Sequence, residues 1–289
     1  MSKKVQLTAL ALCLAAGALH AQKTDVSLFW RSDSIQLPEI ISAEAVQYNF
    51  VGHHGPAIEN PYMGLRIYFN NSGAIDVYTK KTYQLELADC RWYPTEKEQA
   101  AGYGCDEYKV GSTVGLGGIN LWDGQRVLQL NATKGREARV QRGKKSSTAE
   151  MLAKGVAYKG ESVDILIRVT MDNKHRYATV EAECTSGQQV QFVTGVNYHP
   201  EKTMETGEGF AAVWTVHPPD VSVVPTPIGA GIRYNAADME SVNETRDMVQ
   251  IISKPATHLK TYVYSAGEKG KDVNNAADFI QYIKTMKIK

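Results

Sequence analysis

The sequence contains little cysteine, no excess charge of either sign and no long apolar run after its first twenty residues. Four of its 289 residues are cysteines, and their spacing is not that of a structural zinc site. Basic and acidic residues number 32 and 31, a balance that argues against a nucleic-acid-binding protein. No later segment is apolar enough to span a bilayer, so a transmembrane helix is excluded as well.

Motifs for common cofactors are also missing. The glycines of 115–118 lack the strand-then-helix context of a dinucleotide site, and no calcium-loop spacing occurs. Nothing demands zinc, nicotinamide, flavin or nucleotide, and we therefore expect neither a metal nor a cofactor. Three cysteines follow the N-terminal segment. Cys90 and Cys105 flank a glycine- and aromatic-rich loop and could form a disulfide in an oxidising compartment, with Cys184 left as a small buried residue.

The N-terminal segment has the order of residues found in export signals. Two lysines precede an almost uncharged apolar run, and Ala21 then offers a small residue before a cleavage point. The pattern predicts a signal peptide over 1–21 and a secreted or periplasmic mature chain over 22–289. A lipid anchor on Cys13 is the alternative interpretation, and the bulky Leu12 before that cysteine disfavours it.

Period-two alternation of apolar and polar residues dominates the mature chain. Three alternating runs joined by short polar turns predict an antiparallel meander over 163–171, 178–184 and 190–198. Asparagine and glycine at 70–73 predict the turn of a hairpin. Other strands are predicted at 65–69, 74–78, 211–216, 228–234, 248–252 and 259–264, and helices at 95–101 and 276–286.

These elements indicate the fold class. Helices do not alternate with strands, which argues against a parallel α/β sheet. Many strands in a mature chain of about 265 residues predict two stacked sheets. We therefore expect an all-β protein, built as one large antiparallel β-sandwich domain over 22–289 with a short C-terminal helix.

The first candidate site segment is 52–62. It carries two histidines, of which His54 is the candidate, together with Glu59, and it precedes a strand with Arg66 and Tyr68. Histidine exchanges protons near neutral pH, and a nearby carboxylate could orient it, so we predict catalytic roles for these four residues. The alternative interpretation is a shaped loop in which Glu59 pairs with Arg66.

The second candidate segment combines aromatic rings with polar side chains between residues 92 and 123. Flat aromatic faces stack on the C–H faces of sugar rings, while nearby carboxylates and amides hydrogen-bond the hydroxyl groups. The chain has 15 tyrosines but only 6 phenylalanines, which favours half-exposed rings. In the alternative interpretation these rings cover the end of a sheet. The predicted sugar-binding residues are Trp92, Tyr103, Asp106, Trp122 and Asp123.

The third candidate set consists of two histidines at strand ends. His199 and His217 each precede a proline that stops sheet pairing, and large β folds often build sites at such positions. We predict a catalytic role for His199, and substrate-binding roles for His217 and for Lys80. An enzyme would gather His54, Glu59, Arg66 and His199 around one concave pocket.

The stretch 55–124 resembles a secreted bacterial family of unknown function, domain of unknown function 4861. The likeness rests on motifs that read Gly55-Pro56-Ala57-Ile58-Glu59-Asn60, Arg66-Ile67-Tyr68, Ile75-Asp76-Val77-Tyr78, Trp92-Tyr93 and Trp122-Asp123-Gly124. The resemblance implies a place among pectin- and uronate-degrading enzymes in polysaccharide-utilisation gene clusters, and hence an acidic glycan as partner. It also implies a fold like the galactose-mutarotase β-sandwich, which carries little weight for mechanism.

Three kinds of enzyme reaction on an acidic glycan remain possible, and each would use the candidate residues differently. A lyase needs a cation for the uronate carboxylate, from Arg66 or Lys80, and a base, from His54, His199 or Tyr68. An epimerase needs an acid and a base across the ring, for which His199 and Glu59 are candidates. A hydrolase needs two carboxylates, for which Glu59 with Asp106 or Asp123 are candidates.

Two interpretations without catalysis also remain. A glycan-binding protein of the cell envelope would present tyrosine and tryptophan on a shallow face with the histidines scattered. A structural or interaction protein would show a broad exposed apolar patch and no polar pocket. We rank an enzyme acting on uronate-containing oligosaccharides first, because clustered histidines and charges are more informative than surface aromatics.

Overall fold

A computed structural model of the protein describes residues 24–44, 46–90, 93–219 and 225–288. Within them the chain forms eighteen β-strands and two short α-helices. The predicted signal peptide, with Cys13, and the candidate residue Trp92 lie outside the described residues. No helix in the described part of the chain has the length and apolar character needed to cross a membrane.

Along the chain, one short helix lies between the fifth and sixth strands and the other follows the last strand. The strands are β1 (Asp25–Ser27), β2 (Glu39–Ser42), β3 (Ala57–Glu59), β4 (Gly64–Ile67), β5 (Ile75–Tyr78), β6 (Asn120–Trp122), β7 (Val127–Leu128), β8 (Arg136–Gln141), β9 (Ser146–Tyr158), β10 (Glu161–Asp172), β11 (Ala178–Cys184), β12 (Gln191–Asn197), β13 (Lys202–Gly207), β14 (Phe210–Thr215), β15 (Ile228–Tyr234), β16 (Met239–Glu244), β17 (Met248–Ser253) and β18 (His258–Gly267). The helices are α1 (Glu96–Ala100) and α2 (Ala276–Thr285).

The strands form three antiparallel sheets arranged in two layers. The large sheet has the order β13-β14-β15-β18-β11-β10-β9-β8-β2. Two smaller sheets, β1-β3-β4-β5 and β16-β17-β12-β6-β7, pack against it and bury the core between the layers. Backbone bridges from Ile75 to Gly115 and from Leu116 to Val196 join the two smaller sheets. The predicted all-β antiparallel sandwich with a short C-terminal helix is therefore confirmed.

The predicted meander is only half right. The strand pairing β10–β11 is present, but β11 pairs next with β18, and β12 lies in the opposite layer between β6 and β17. The reason is burial on both faces of β12, where Val193 and Gly195 are as buried as Phe192 and Val196. Such a strand can occupy the centre of a covered sheet, whereas β11 alternates between buried and half-buried residues.

The possible disulfide between Cys90 and Cys105 is absent. Both cysteines are buried thiols, as is Cys184. The two side chains have different neighbours, because Cys90 Sγ lies 3.9 Å from the Tyr78 hydroxyl while Cys105 Sγ lies 3.9 Å from the Asp106 carbonyl oxygen.

The C-terminal helix covers the outer face of the large sheet. Asn275 caps α2 by accepting a hydrogen bond from the Asp278 backbone N–H. The apolar side chains Phe279 and Ile283 of α2 lie over Gly229 and Gly231 of β15. A Cβ atom on Gly231 would lie 2.5 Å from two carbon atoms of the Ile283 side chain, so glycine is required for the close approach.

We predict that Gly231→Ala destabilises the protein by about 1–3 kcal/mol, because the added methyl group overpacks this contact. Chemical denaturation measures the loss. The double variant Gly231→Ala/Ile283→Ala should lose less than the sum of the two single variants, since the second change removes the clash. Strict additivity would contradict the packing described here.

Candidate functional site

A small sheet with one apolar and one polar face positions the candidate site. In the register of β3, β4 and β5, Ala57, Arg66 and Asp76 lie side by side. Because successive side chains alternate between faces, Leu65 and Val77 enter the core while Arg66 and Asp76 share the opposite face. Strand alternation thus collects charged groups on one side of a fully buried sheet.

The chain between β5 and β6 returns to this polar face and covers it. The backbone N–H groups of Glu86 and Leu87 donate to Glu59, each at 2.6 Å. Further along, Thr95 begins α1 with a reciprocal capping box to Glu98. Asp106 then reaches back to Arg66. The charges are therefore enclosed between the sheet and this covering segment.

Arg66 is the centre of a buried group of polar side chains. It is fully buried and forms ion pairs with Asp76 and with Asp106, the latter at 2.5 Å. The Tyr68 hydroxyl donates to the same Asp76 oxygen at 2.8 Å. We call Arg66, Asp76, Asp106, Tyr68, Tyr93, His54 and Tyr48 the Arg66 cluster.

The electrostatics of the cluster favour one retained proton on its carboxylates. Burial raises the pKa of Asp76 above its ordinary value, Arg66 opposes that rise, and Asp106 adds to it. Burial alone would lower the pKa of Arg66, but Asp106 and Asp76 raise it, so Arg66 stays cationic. Burial and the neighbouring Asp76 charge raise the pKa of Tyr68, which stays protonated.

His54 connects the cluster to two tyrosines in a fixed tautomer. Its Nδ1 lies 3.0 Å from the Tyr48 carbonyl oxygen, which can only accept, so Nδ1 carries the proton. In the neutral ring, Nε2 then accepts from the Tyr93 hydroxyl at 2.7 Å. The His54 ring also stacks on the Tyr48 ring with centroids 3.8 Å apart.

The turn that carries His54 is strained. His53 and His54 both have positive φ angles, 55° and 63°, a region that side chains other than glycine seldom adopt. His53 donates from Nε2 to the Leu87 carbonyl at 2.7 Å. Burial, with the charge of Arg66, lowers the pKa of His53 to about 3, so its ring is neutral. Backbone strain of this kind is often found at functional sites.

Glu59 and Lys80 form a separate ion pair next to the cluster. Lys80 Nζ bonds Glu59 and lies 3.7 Å from Glu86, which accepts a hydrogen bond from the Tyr78 hydroxyl. The alternative interpretation, in which Glu59 pairs with Arg66, is therefore wrong, because Arg66 lies opposite Ala57 and Asp76 while Glu59 lies opposite Gly64. Glu59 is also fully buried, its carboxylate is bonded to Lys80 and to the Glu86 and Leu87 backbone, and it does not orient a histidine.

His199 and His217 contact each other just beyond the ends of β12 and β14. His199 Nε2 lies 3.1 Å from His217 Nδ1, and the Lys109 backbone N–H donates to that same Nδ1. Nδ1 of His217 is thus an acceptor, and its proton sits on Nε2. Burial, with the nearby His199, lowers the pKa of His217 to about 3. The Tyr108 ring, 4.3 Å from the His217 ring, lies two residues along the chain from Asp106.

The structure therefore brings together His54, Arg66, Tyr68 and Asp106, whereas the other candidates among the described residues have their partners outside this group. Tyr103 follows α1, where its backbone N–H donates to the Glu98 carbonyl. Asp123 accepts from the Gln125 and Arg126 backbone in an exposed turn beside Trp122. Neither Trp122 nor Asp123 contributes to the Arg66 cluster.

Three residues of the cluster were not among the predicted site residues: Tyr48, Asp76 and Tyr93. Asp76 had a signal in the sequence, since a turn at 70–73 places it almost opposite Arg66 in the predicted hairpin. Tyr93 belongs to the aromatic segment and to the Trp92-Tyr93 motif, but nothing in the sequence links it or Tyr48 to His54, because each reaches His54 from a loop outside the sheet. Among the described residues, no group of three or more histidines, cysteines or acidic residues is placed to hold a metal ion.

Neutral buried histidines predict a pH-dependent stability. The unfolded chain binds a proton below the ordinary histidine value of 6.5, whereas folded His217 stays neutral down to about pH 3. The unfolded state then binds more protons, so stability falls as the pH is lowered. Between pH 7 and 5 this one residue should remove about 2 kcal/mol of unfolding free energy.

Replacing His217 by asparagine tests this value, since Asn keeps an acceptor near Nδ1 but does not titrate. Urea unfolding at both pH values should show that His217→Asn loses about 2 kcal/mol less than wild type between pH 7 and 5. Contributions of groups that do not contact His217 cancel in that comparison, and the double variant His199→Asn/His217→Asn against His199→Asn controls for its neighbour His199. An equal loss in both proteins would mean that His217 is not held neutral.

Solved structures similar to this chain include two with sugar-related descriptions. One, from Klebsiella pneumoniae subsp. pneumoniae MGH 78578, is provisionally described as an aldose 1-epimerase. It shares 7% identity at a TM-score of 0.41, covering 91% of this chain and 95% of that one. The other is a GH36 α-galactosidase from Geobacillus stearothermophilus, with 10% identity and a TM-score of 0.27, covering 79% and 40%. Neither likeness assigns a reaction.

The comparison by sequence gives a firmer result. No curated protein matches the chain. One family model matches residues 20–289, which is nearly the whole sequence and includes the strands, the covering segment and every member of the Arg66 cluster. The chain therefore belongs to the family described as Domain of unknown function (DUF4861).

Proposed function

We propose that the protein is a carbohydrate-active enzyme that transfers protons to and from its sugar at the Arg66 cluster, as an epimerase or mutarotase does. The observation that supports this most strongly is the presence of a proton acceptor and a proton-retaining carboxylate pair in one cluster. An imidazole nitrogen that accepts a hydrogen bond and a carboxyl group whose pKa is raised by burial are typical base and acid partners.

His54 and Tyr93 supply the accepting side. A sugar hydroxyl that donates to Tyr93 Oη can pass its proton to that oxygen while Tyr93 passes its own proton to His54 Nε2. The Nδ1–H of His54 keeps its bond to the Tyr48 carbonyl, which stabilises the imidazolium that forms. Burial, with the nearby Asp106 charge, raises the pKa of Tyr93, so Tyr93 is protonated before the transfer.

Asp76 and Asp106 supply the donating side. A proton retained on this pair reaches the sugar through Asp106, whose side chain is 10% exposed, whereas that of Asp76 is 1% exposed. In anomer exchange this proton goes to the ring oxygen as the bond from that oxygen to the anomeric carbon breaks. The anomeric hydroxyl proton leaves to Tyr93, and reclosure on the other face reverses both transfers.

The other two enzyme chemistries are less well supported by the contacts. A lyase needs an available cation for the substrate carboxylate, but Arg66 and Lys80 are both buried and already bonded to carboxylates. A hydrolase based on Glu59 needs that residue to reach the sugar, and it is fully buried. A reaction that only transfers protons requires neither a free cation nor an accessible Glu59.

An acidic, uronate-containing oligosaccharide is the substrate class that we propose, as the family resemblance implies. We place the activity in the periplasm or outside the cell, because residues 1–21 have the order of an export signal. A non-catalytic glycan-binding protein is the second candidate. The observation that favours it is the row of half-exposed rings at the cluster, formed by Tyr48, Tyr68 and Tyr93.

The test compares wild type with Tyr93→Phe and Asp106→Asn on a panel of neutral and uronic acid sugars. NMR follows anomer exchange, ultraviolet absorbance follows unsaturated uronates, and chromatography follows new chain ends. Each variant removes one proton-transfer partner, so anomer exchange should fall at least about 100-fold. Tyr103→Phe and Asp123→Asn make the same chemical changes outside the cluster, and these controls should keep the wild-type rate.

Three outcomes would overturn the proposed reaction. Anomer exchange that survives both cluster variants would separate catalysis from these residues. A rise in ultraviolet absorbance without anomer exchange would identify a lyase. Saturable sugar binding with no turnover in any of the three assays would identify a glycan-binding protein.

A further inference from the structure

A shallow surface pocket lies at the other end of the polar face that carries the Arg66 cluster. Lys80 follows Asp76 by four residues along β5 and its extension, a distance of about 13 Å in extended chain. The pocket is shallow, with room for about 20 Å³ between the start of the covering segment and the end of β18, so a ligand larger than a water molecule would lie over it and not inside it. Its principal lining residues are Tyr62, Lys80, Lys81, Tyr83, Gly267 and Lys271.

Two tyrosine rings form one wall of this pocket. The rings of Tyr62 and Tyr83 meet edge to face, with centroids 5.7 Å apart and an interplanar angle of 69°. The guanidinium of Arg176 lies 4.6 Å from the centre of the Tyr62 ring. Tyr83 is 50% exposed, so its ring is accessible to a ligand. An accessible tyrosine ring suits the C–H face of a sugar and offers a hydroxyl to its polar groups.

The charge of the pocket is positive. Asp272 is paired with Arg176, and Lys80 is paired with Glu59, so these charges are compensated. Lys81 donates one hydrogen bond to the Gln99 carbonyl at 3.2 Å, which leaves two of its N–H groups for a ligand. Lys271 is exposed and has no carboxylate partner among the residues that the structure describes.

The lining of the pocket also includes a polar group without a partner among the described protein residues. The Thr82 hydroxyl is buried and has no hydrogen-bond partner in the described structure. Buried hydroxyl groups are normally hydrogen-bonded, so this atom is suited to a ligand or a water molecule.

We infer that an acidic sugar unit binds over this shallow pocket, with its ring on the exposed Tyr83 and its carboxylate or sulfate between Lys81 and Lys271. Two uncompensated ammonium groups favour an anion, and the adjacent ring and hydroxyl favour a sugar over a bare ion. The inference stands without the proposed reaction, because it uses none of the residues of the Arg66 cluster.

Calorimetry with a galacturonate disaccharide, a sulfated galactose disaccharide and uncharged galactobiose tests the inference. At least one acidic disaccharide should bind at least about tenfold more tightly than galactobiose, and which one does so distinguishes carboxylate from sulfate. Lys81→Gln and Lys271→Gln should each weaken that binding about fivefold to tenfold. Lys144→Gln removes the same charge from a distant loop and should leave the affinity unchanged.

Two further variants separate the ring from the hydroxyl and the pocket from the Arg66 cluster. Tyr83→Ala should weaken binding about fivefold, whereas Tyr83→Phe, which keeps the ring, should bind nearly as wild type does. Tyr93→Phe should keep this binding even if it abolishes turnover. Equal affinity for all three disaccharides, or equal losses in Lys271→Gln and Lys144→Gln, would overturn the inference.

Discussion

Arg66 brings a full positive charge to a position with no exposed surface, and the surrounding structure compensates for it. A buried charge of this kind is tolerated only when it is paired and hydrogen-bonded. Asp76 meets the requirement from the neighbouring strand, through the register of β4 and β5. Asp106 meets it from the covering segment. The ion pairs of Arg66 therefore link strand register to the position of a segment thirty residues further along the chain.

That link explains why the polar groups gather where they do. Residues 105–109 contact four different parts of the molecule: Cys105 bridges to Thr79, Asp106 reaches Arg66, Glu107 pairs with Lys269, and the Lys109 backbone donates to His217. One short segment thus connects the small sheet, the end of β18 and the histidine pair. The rings of Tyr48, Tyr68 and Tyr93 remain half-exposed beside this buried framework, and they are the groups of the cluster best placed to meet a sugar.

Local patterns predicted most of the strands, because alternation is set by neighbours in the sequence. They failed for β12, whose two faces are both buried, so its pattern does not reveal which layer it joins. The site was predicted in the same uneven way. His54, Arg66 and Tyr68 belong to one short stretch of sequence, but the partner of Arg66 depends on strand register and on a distant loop. The alternative interpretation therefore paired Glu59 with the wrong cation, although Glu59 lies only two residue pairs from Arg66 in the register of β3 and β4.

The central claim is that a sugar contacts the protein at the Arg66 cluster, and tyrosine NMR tests it most directly. In protein with isotope-labelled tyrosine, the 15 ring signals can be assigned by single Tyr→Phe variants. A uronic acid sugar should shift the signals of Tyr48, Tyr68 and Tyr93 in a saturable way, and these shifts should persist in Lys271→Gln. Saturable binding that moves other tyrosines and leaves these three unchanged would contradict the claim.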